Sequence, residues 1–290
     1  MDKADFYSGV SEFLRRGKAA LAKGPVALIF DEDGVEVQST LDHHIRLGFE
    51  EVVLFTQNPS SAYPDVVHQV QYAVNDTGAV ETAVNAVIEA ASGIWMYYCF
   101  NAEYLFFPFR STRSVTELLA FHSEERRESM LTYVVDLYAP DLGCDANAVS
   151  LKNAQVDKIG YYALARLDAD NHNHPKERQL DFHGGLRWRF EEHVPKDKRK
   201  IDRIALFKSK EDLKLRSDHT FSDEEYNTYA CPWHNNITAA ICSFRTAKAL
   251  RTNPGSRFQI DTFMWHNSVP FEWSSQQLME LGLMEPGQWF

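Results

Sequence analysis

The sequence is poor in cysteine. Only four of its 290 residues are cysteines, and no two of them form a C-x-x-C pair. Their spacing matches no common zinc site, so we do not expect a cysteine-based metal centre. Cys99 and Cys242 lie in apolar stretches and are predicted to be buried free thiols.

Long apolar runs are also missing. No stretch of about 18 consecutive apolar residues occurs, so no membrane-spanning helix is predicted. The opening segment, MDKADFYSGVSEFLRRGKAALAKG, lacks the apolar core of a signal peptide. We therefore expect a cytoplasmic protein in a reducing environment.

Basic residues are in the minority. The chain has 30 Lys and Arg against 41 Asp and Glu, which gives a formal net charge of −11. An acidic surface disfavours broad binding to nucleic acid or to an anionic membrane, so neither partner is expected. A local basic pocket that holds a phosphate remains compatible with this average.

Alternating strand and helix patterns predict an α/β fold with a mainly parallel central sheet and an irregular α+β C-terminal part. No Gly/Ser-rich linker divides the chain. We predict an N-terminal helix within residues 1–24, a ligand-binding α/β part over 25–150 and a C-terminal part over 151–290, in one continuous domain. The predicted elements include a helix over Leu41–Leu47 that stops at Gly48, a polar loop over Asp168–Arg178, and a loop or lid over Thr220–His234.

The stretch Ile29–Thr40 reads IFDEDGVEVQST, an apolar run followed by Asp-Glu-Asp-Gly. It resembles the first motif of haloacid-dehalogenase-like phosphatases, in which Asp31 would be the nucleophile and Asp33 the general acid/base. Thr56 would supply the hydroxyl at the end of the next strand. Such enzymes also need a later acidic pair to hold Mg²⁺, and the sequence offers none beyond Asp168-Ala169-Asp170 after a weak strand.

A second resemblance covers more of the chain. Pro25–Asn58 resembles the opening of bacterial family 2-like glycosyltransferases of the GT-A type: a strand with an acidic end, a helix ending in H-H-x-x-L-G-F, and another strand. The segment His43–Phe49 (HHIRLGF) matches the helix end. In this alignment Asp33 takes the place of the acid, and Asn58 lies in the loop that usually carries a further acid.

The segment Trp95–Leu105 (WMYYCFNAEYL) resembles the W-x-x-x-x-D-x-D-E-F-L motif of the same enzymes. The two metal-binding aspartates are replaced by Phe100 and Ala102. A shift of one residue puts Asn101 and Glu103 at these positions instead. One carboxylate with one amide makes a poor divalent site, so the resemblance implies either Mn²⁺ or Mg²⁺ in a rebuilt site or no metal.

Further matches extend the resemblance to Arg245. Asp136-Leu137-Tyr138 resembles a D-M-Y segment, and His183–Phe190 (HGGLRWRF) resembles G-G-x-R-x-R-x-F. Ala205–Lys208 with Asp218-His219 resembles K-x-P-L…G-x-H, and Ile237–Arg245 resembles the final strand, with Cys242 where His is usual.

The resemblance implies transfer of a sugar from a nucleotide-diphosphate donor to a glycan or other hydroxyl acceptor. The leaving diphosphate needs a positive partner, and arginines bind phosphate in a bidentate manner. The implied nucleotide- or phosphate-binding residues are Asp33, Asn58, Gly184, Gly185, Arg187, Arg189, Lys208 and His219. Candidates for the general base are Glu103, Asp181, His183 and Glu191, and the sequence does not choose among them.

Two functions from different classes remain open at this point. The first is an active sugar transferase, as described. The second is a catalytically degenerate member that binds a nucleotide, a glycan or a protein partner, which the missing D-x-D favours. The alternative for the arginine pair is that Arg187 and Arg189 are alternating surface residues of a strand.

Overall fold

The computed structural model describes residues 6–22, 24–229 and 237–289, which form two compact units. The first unit comprises the described residues of Met1–Tyr104, Arg110–Met130 and Ile204–Asn227. The second comprises those of Leu105–Phe109, Leu131–Arg203 and Thr228–Phe290. Compact units defined by contacts need not fold separately, so the domain boundaries predicted at residues 24 and 150 stay a prediction.

The structure alternates strands and helices over much of its length. The strands are β1 (Phe6–Tyr7), β2 (Val26–Phe30), β3 (Glu51–Thr56), β4 (Val67–Gln71), β5 (Trp95–Phe100), β6 (Glu103–Phe106), β7 (Ser129–Tyr138), β8 (Gln155–Asp157), β9 (Tyr161–Asp168), β10 (His174–Gly184), β11 (Asp202–Lys208), β12 (Ala239–Ser243) and β13 (Ser268–Pro270). The helices are α1 (Val10–Arg16), α2 (Lys18–Leu21), α3 (Val37–Leu47), α4 (Ala79–Ala90), α5 (Val115–Glu124), α6 (Gly185–Arg189), α7 (Arg245–Thr252) and α8 (Ser275–Glu280).

The first unit is built on a mixed sheet with the order β1-β4-β3-β2-β5-β11. The strands from β1 to β5 run parallel to their neighbours, and β11 is antiparallel to β5. The strand β2 (VALIF) is completely buried, as expected for a parallel strand covered on both faces. The chain is therefore α/β with a large mixed sheet that is mostly parallel in its first strands, which confirms the predicted fold class at this level.

The helix α3 shows how sequence sets an element boundary. Gly48 follows it in the left-handed conformation, with φ 99°, and its N–H donates to the carbonyls of His44 and Ile45. Glycine adopts this conformation without the steric cost that a Cβ imposes. The predicted stop at Gly48 is confirmed, and the helix begins at Val37 rather than at Leu41.

The aromatic run from Ile94 to Phe109 contains two strands, β5 and β6. A turn at Asn101-Ala102 separates β5 from β6, and Ala102 has φ 59°. Most of its aromatic rings are buried, as are Cys99 and Cys242. The prediction of buried free thiols at these two positions is confirmed.

The predicted N-terminal helix is interrupted. The strand β1 precedes α1 and pairs with β4, and Gly17 separates α1 from α2. Tyr7 is buried, and its hydroxyl lies 3.2 Å from Nδ1 of His68. The buried contact with His68 favours a strand at Tyr7 over one more helical turn. The helical pattern of the sequence does not reveal this distant partner.

In the second unit, β7 pairs with β12 in parallel and with β8 antiparallel, and β8 also pairs with β13. The strands β9 and β10 form an antiparallel hairpin. The polar loop predicted over Asp168–Arg178 is wrong at Asp168, which ends β9, and from His174 onwards, because β10 begins there with His174 paired to Asp168. The predicted loop Thr220–His234 contains a short 3-10 turn at Glu224–Asn227, and its end, residues 230–234, lies outside the described residues.

In the described part of the chain, no helix combines the length and the apolar character needed to cross a membrane.

Candidate functional site

Three polar residues form a row where neighbouring strands of the first unit end. Phe30 of β2 pairs with Phe55 of β3 on one side and with Phe100 of β5 on the other. The residues that follow these three phenylalanines are Asp31, Thr56 and Asn101, respectively. Because the strands are parallel and in register, these three side chains emerge at the same edge of the sheet.

This edge lies at a switch point in the sheet topology. From β2 the chain proceeds to β3 and β4 on one side, and then crosses to β5 on the other side. Ligands of open α/β sheets bind outside the carboxyl ends of the strands at such a point, because the loops there diverge and leave a crevice. We call the loop of β2, residues 31–36, together with Asn101 the β2–β5 edge.

Asp33 and Asn101, predicted from different motifs, contact each other at the β2–β5 edge. The Nδ2 of Asn101 donates to Oδ1 of Asp33 at 2.6 Å and to the carbonyl of Val35 at 2.7 Å. Asp33 is exposed, whereas Asn101 is fully buried. The buried amide thus fixes the loop that presents an accessible carboxylate.

The carboxylate of Asp31 is already bound within the protein. Its Oδ2 accepts from the hydroxyl of Thr56 and its Oδ1 from the N–H of Gly34, both at 2.7 Å. Asp31 is also buried, with an exposed fraction of 7%. These contacts give Asp31 a structural role in shaping the loop, and they do not favour its use as a nucleophile.

The residues at the implied metal position do not fit a divalent cation. The Oδ1 of Asn101 accepts from the N–H of Glu32 at 2.9 Å. The carboxylate of Glu103 is fully buried, and its Oε2 accepts from the N–H of Phe100 at 2.9 Å. No group of three or more His, Cys, Asp or Glu side chains among the described residues is arranged to hold a metal.

Two residues that the sequence did not single out also lie near the β2–β5 edge. Burial raises the pKa of Tyr63, and the nearby charge of Asp31 adds to this effect. Asn75 donates to the carbonyl of Glu32 at 3.2 Å. Neither belongs to a motif, so only the fold reveals them. The predicted Asn58 is exposed just beyond β3, where its N–H donates to the hydroxyl of Thr56 at 2.9 Å.

The structure does not bring Lys208 to the β2–β5 edge. In the antiparallel pair of β11 and β5, Lys208 lies opposite Trp95, at the beginning of β5, whereas Asn101 follows its end. Trp95 and Asn101 are six residues apart along extended chain, so Lys208 lies roughly 20 Å from Asn101 along the strand direction. His219 packs on the middle of β5, where its Nδ1 lies 3.0 Å from the hydroxyl of Tyr98.

In the second unit, Arg189 forms an ion pair with the buried carboxylate of Asp157. Its Nη1 lies 3.1 Å from both oxygens of Asp157, and its Nη2 donates to the carbonyl of Phe263 at 2.7 Å. Asp157 also accepts from the indole N–H of Trp265 and from the hydroxyl of Tyr138. We call Tyr138, Asp157, Arg189 and Trp265 the Asp157 cluster, which no motif in the sequence predicted.

The glycine–arginine segment, His183–Phe190, is a strand end followed by the short helix α6, so the alternative of a continuous strand is wrong. The N–H of Leu186 donates to Oδ2 of the buried Asp136 at 2.8 Å. Burial raises the pKa of Asp136, and the charge of Arg187 opposes this rise. The backbone N–H that follows the two glycines, that of Leu186, is therefore bound to a carboxylate of the protein itself.

Arg187 also makes contacts within the second unit. Its Nη1 donates to the carbonyl of Lys200 at 2.6 Å, and its Nε donates to the hydroxyl of Thr246 at 3.2 Å. These contacts orient the guanidinium towards backbone and hydroxyl oxygens. Both arginines of the segment thus support the structure of the second unit.

We predict that Gly185→Ala destabilises the protein by about 1–3 kcal/mol. The φ of Gly185 is +59°, and a Cβ at this position would lie 2.6 Å from Oδ2 of Asp136. The carboxyl group would have to move and leave its hydrogen bond with Leu186. Chemical denaturation measures the change. Gly282→Ala is a matched control, because Gly282 has φ +68° and a Cβ there would meet nothing within 4 Å; an equal loss in both variants would contradict the proposed clash.

The remaining base candidates of the second unit differ in their surroundings. Asp181 forms ion pairs with Arg166 at 2.7 Å and with Lys200 at 2.9 Å. Burial raises the pKa of Asp181, but the hydrogen bonds and charges of Lys200 and Arg166 outweigh burial and hold it below its ordinary value. A carboxylate with a lowered pKa is a weak base. The ring of His183 stacks on Tyr162, with 5.2 Å between centroids, and Glu191 pairs with Arg199.

Comparison with known proteins adds no relative: no family model matches the chain, and no curated protein matches it.

Proposed function

We propose that the chain is a GT-A-like protein that binds the nucleoside part of a nucleotide sugar at the β2–β5 edge. The contact between Asp33 and Asn101 carries this proposal, because it joins the two motifs of the resemblance at a topological switch point. An exposed carboxylate at such an edge is a suitable acceptor for ribose hydroxyls or base amino groups.

The charges at the edge favour a nucleoside over a bare diphosphate. Asp31, Glu32, Asp33 and Glu36 all belong to the loop of residues 31–36. Four carboxyl groups repel a phosphate unless a cation lies between them. We therefore expect the carboxylates to contact hydroxyl groups and the diphosphate to point away from the loop.

The contacts of the site residues favour binding of the nucleotide sugar without transfer of its sugar. Transfer requires a positive group beside the leaving diphosphate. Arg189 is held by Asp157, Arg187 contacts backbone and hydroxyl oxygens, and the positions of Asn101 and Glu103 do not suit a metal. This arrangement supports a nucleotide-sugar-binding protein of the degenerate class.

Sugar transfer to a glycan or other hydroxyl acceptor is the second candidate function. The accessible carboxylate of Asp33 and the order of the motifs from Pro25 to Arg245 favour it. Turnover would be revealed by incubating the protein with a nucleotide sugar and a panel of glycan acceptors. Mass spectrometry would then detect the released nucleoside diphosphate. Repeating the assay with EDTA and with Mn²⁺ would show whether turnover depends on a metal.

We predict that Asp33→Asn weakens binding of a nucleotide sugar by about tenfold or more. The substitution removes the charge but keeps an oxygen that can accept from Val35 and Asn101, so the loop should stay folded. Isothermal titration calorimetry with uridine- and guanosine-diphosphate sugars measures the affinity. Glu50→Gln, a charge removal at an exposed position, is the control.

An equal affinity in wild type and Asp33→Asn would place the nucleotide elsewhere. The absence of binding by every nucleotide sugar, in EDTA and in Mn²⁺, would overturn the proposed function. Turnover of an aryl phosphate that disappears in Asp31→Asn would instead support the phosphatase alternative.

A further inference from the structure

The first unit contains a pocket at the opposite end of β5 from Asn101. It has a volume of about 260 Å³ and opens beside the C-terminal end of α5 and the end of β11. Its lining is Ser123, Arg126, Arg127, Glu128, Ser129, Lys208, Lys210, Asp223, Glu225 and Tyr226. Four basic and three acidic side chains line this pocket, which makes it locally positive in a protein with a net charge of −11.

Two of the four cations lack a protein partner. The side chains of Arg126 and Lys208 make no hydrogen bond or ion pair with any described residue. Arg127 is buried, with an exposed fraction of 6%, and its Nη1 lies 3.7 Å from Oε1 of Glu225. A buried guanidinium beside two unpaired cations creates a strong local field for an anion.

The protein's own contacts position the acidic side chains of the pocket, and none of these contacts is with Arg126 or Lys208. Asp223 pairs with Lys210, whose Nζ also lies 4.7 Å from the centroid of the Tyr226 ring. The Tyr226 hydroxyl donates to Oε2 of Glu128 at 3.0 Å. The hydrogen bond from Lys210 lowers the pKa of Asp223, so this carboxylate is ionised at neutral pH. Carboxylates held in this way accept hydrogen bonds from hydroxyl groups.

We propose that this pocket binds a small phosphate monoester that also carries hydroxyl groups, such as a sugar phosphate. Arg126, Arg127 and Lys208 contact the phosphate. Glu128, Asp223 and Glu225 accept hydrogen bonds from the hydroxyl groups. A bare anion uses only the first set of contacts, and a neutral sugar only the second.

The pocket is independent of the β2–β5 edge. Lys208 lies beside the beginning of β5 and Asn101 follows its end, so the two residues are roughly 20 Å apart. No residue of the pocket belongs to the loop of residues 31–36. Failure of one proposal therefore leaves the other unaffected, since each has its own residues and its own probe.

The test is an isothermal titration of the intact 290-residue chain with glucose 6-phosphate, inorganic phosphate and glucose in separate calorimetric experiments. We expect glucose 6-phosphate to bind more tightly than either of the other two. Arg126→Asn and Lys208→Gln should each weaken its binding by about tenfold. Asn is chosen at position 126 because Arg126 has φ 57°, a conformation that Asn tolerates.

Lys214→Gln is the matched control, because it removes one exposed basic residue of the first unit outside the pocket. Thermal unfolding of each variant would show that it is folded. Unchanged binding in the Arg126→Asn/Lys208→Gln double variant would overturn the site. Inorganic phosphate binding as tightly as glucose 6-phosphate would overturn the assignment of the acids to hydroxyl groups, and retention of binding at 1 M salt would contradict the role of the unpaired cations.

Discussion

Asp157→Ala is expected to lower the free energy of unfolding by about 3–5 kcal/mol. Asp157 is 1% exposed, and its carboxylate compensates the charge of Arg189, which is 11% exposed at its side chain. Trp265 and Tyr138 donate to the same carboxylate. Removal of the carboxylate leaves a buried guanidinium and two donors without their acceptor, which costs more than the hydrogen bonds themselves contribute.

A double-mutant cycle separates the buried charge from simple loss of packing. Arg189→Met should be destabilising alone, and Asp157→Ala/Arg189→Met should be less destabilised than the sum of the two single variants, Asp157→Ala and Arg189→Met, because neither charge is left unpaired. Urea denaturation measures all four proteins. Additive effects would show that Asp157 and Arg189 are not coupled, contrary to the geometry of the Asp157 cluster.

Acidification from pH 6.5 to pH 4 is expected to destabilise the protein by roughly 3 kcal/mol for each of two buried histidines. Burial lowers the pKa of His44 from 6.5 to about 4, against the hydrogen bond from its ring to the carbonyl of Thr40. Burial likewise lowers the pKa of His122 to about 4. Between these values only the unfolded chain binds the protons, so acid favours unfolding, and the effect levels off below pH 4.

Urea denaturation at pH 7 and pH 4.5 tests this dependence. In His44→Phe and His122→Phe, the loss of stability between the two pH values should be smaller than in wild type. Phe13→Leu, a change at a fully buried position without an ionisable group, should lower stability by the same amount at both pH values. A wild-type loss equal to that of the two histidine variants would contradict the lowered pKa of these rings.

The elements of the first unit were the most predictable, because each has a local cause. The buried run of β2 and the glycine after α3 define their elements without help from distant residues. The strand β10 is different. It begins with the polar, proline-containing stretch His174–Arg178, in which His174 and Pro175 pair with Asp168 and Leu167 of β9 before the register shifts. Local composition does not contain that information.

The candidate site was predictable only in part. Asp33 and Asn101 are marked by motifs, and the parallel register of β2 and β5 brings them together. The roles of Arg187 and Arg189 are a different matter, because their contacts with Lys200, Thr246 and Asp157 come from residues distant in the sequence. A basic residue in a motif looks the same whether it faces a ligand or a buried carboxylate. Only the fold distinguishes the two cases.

The way the chain passes between the two units limits how the protein can be dissected. The first unit draws its residues from three separate segments, and the second unit draws its own from the two segments between them and from the segment after the last of them. A fragment that ends near residue 150 lacks Ile204–Asn227, and with it most of β11, the neighbour of β5. No single cut releases either unit as an uninterrupted polypeptide, so fragment expression and limited proteolysis are unsuitable here, and point substitution in the intact chain is the appropriate tool.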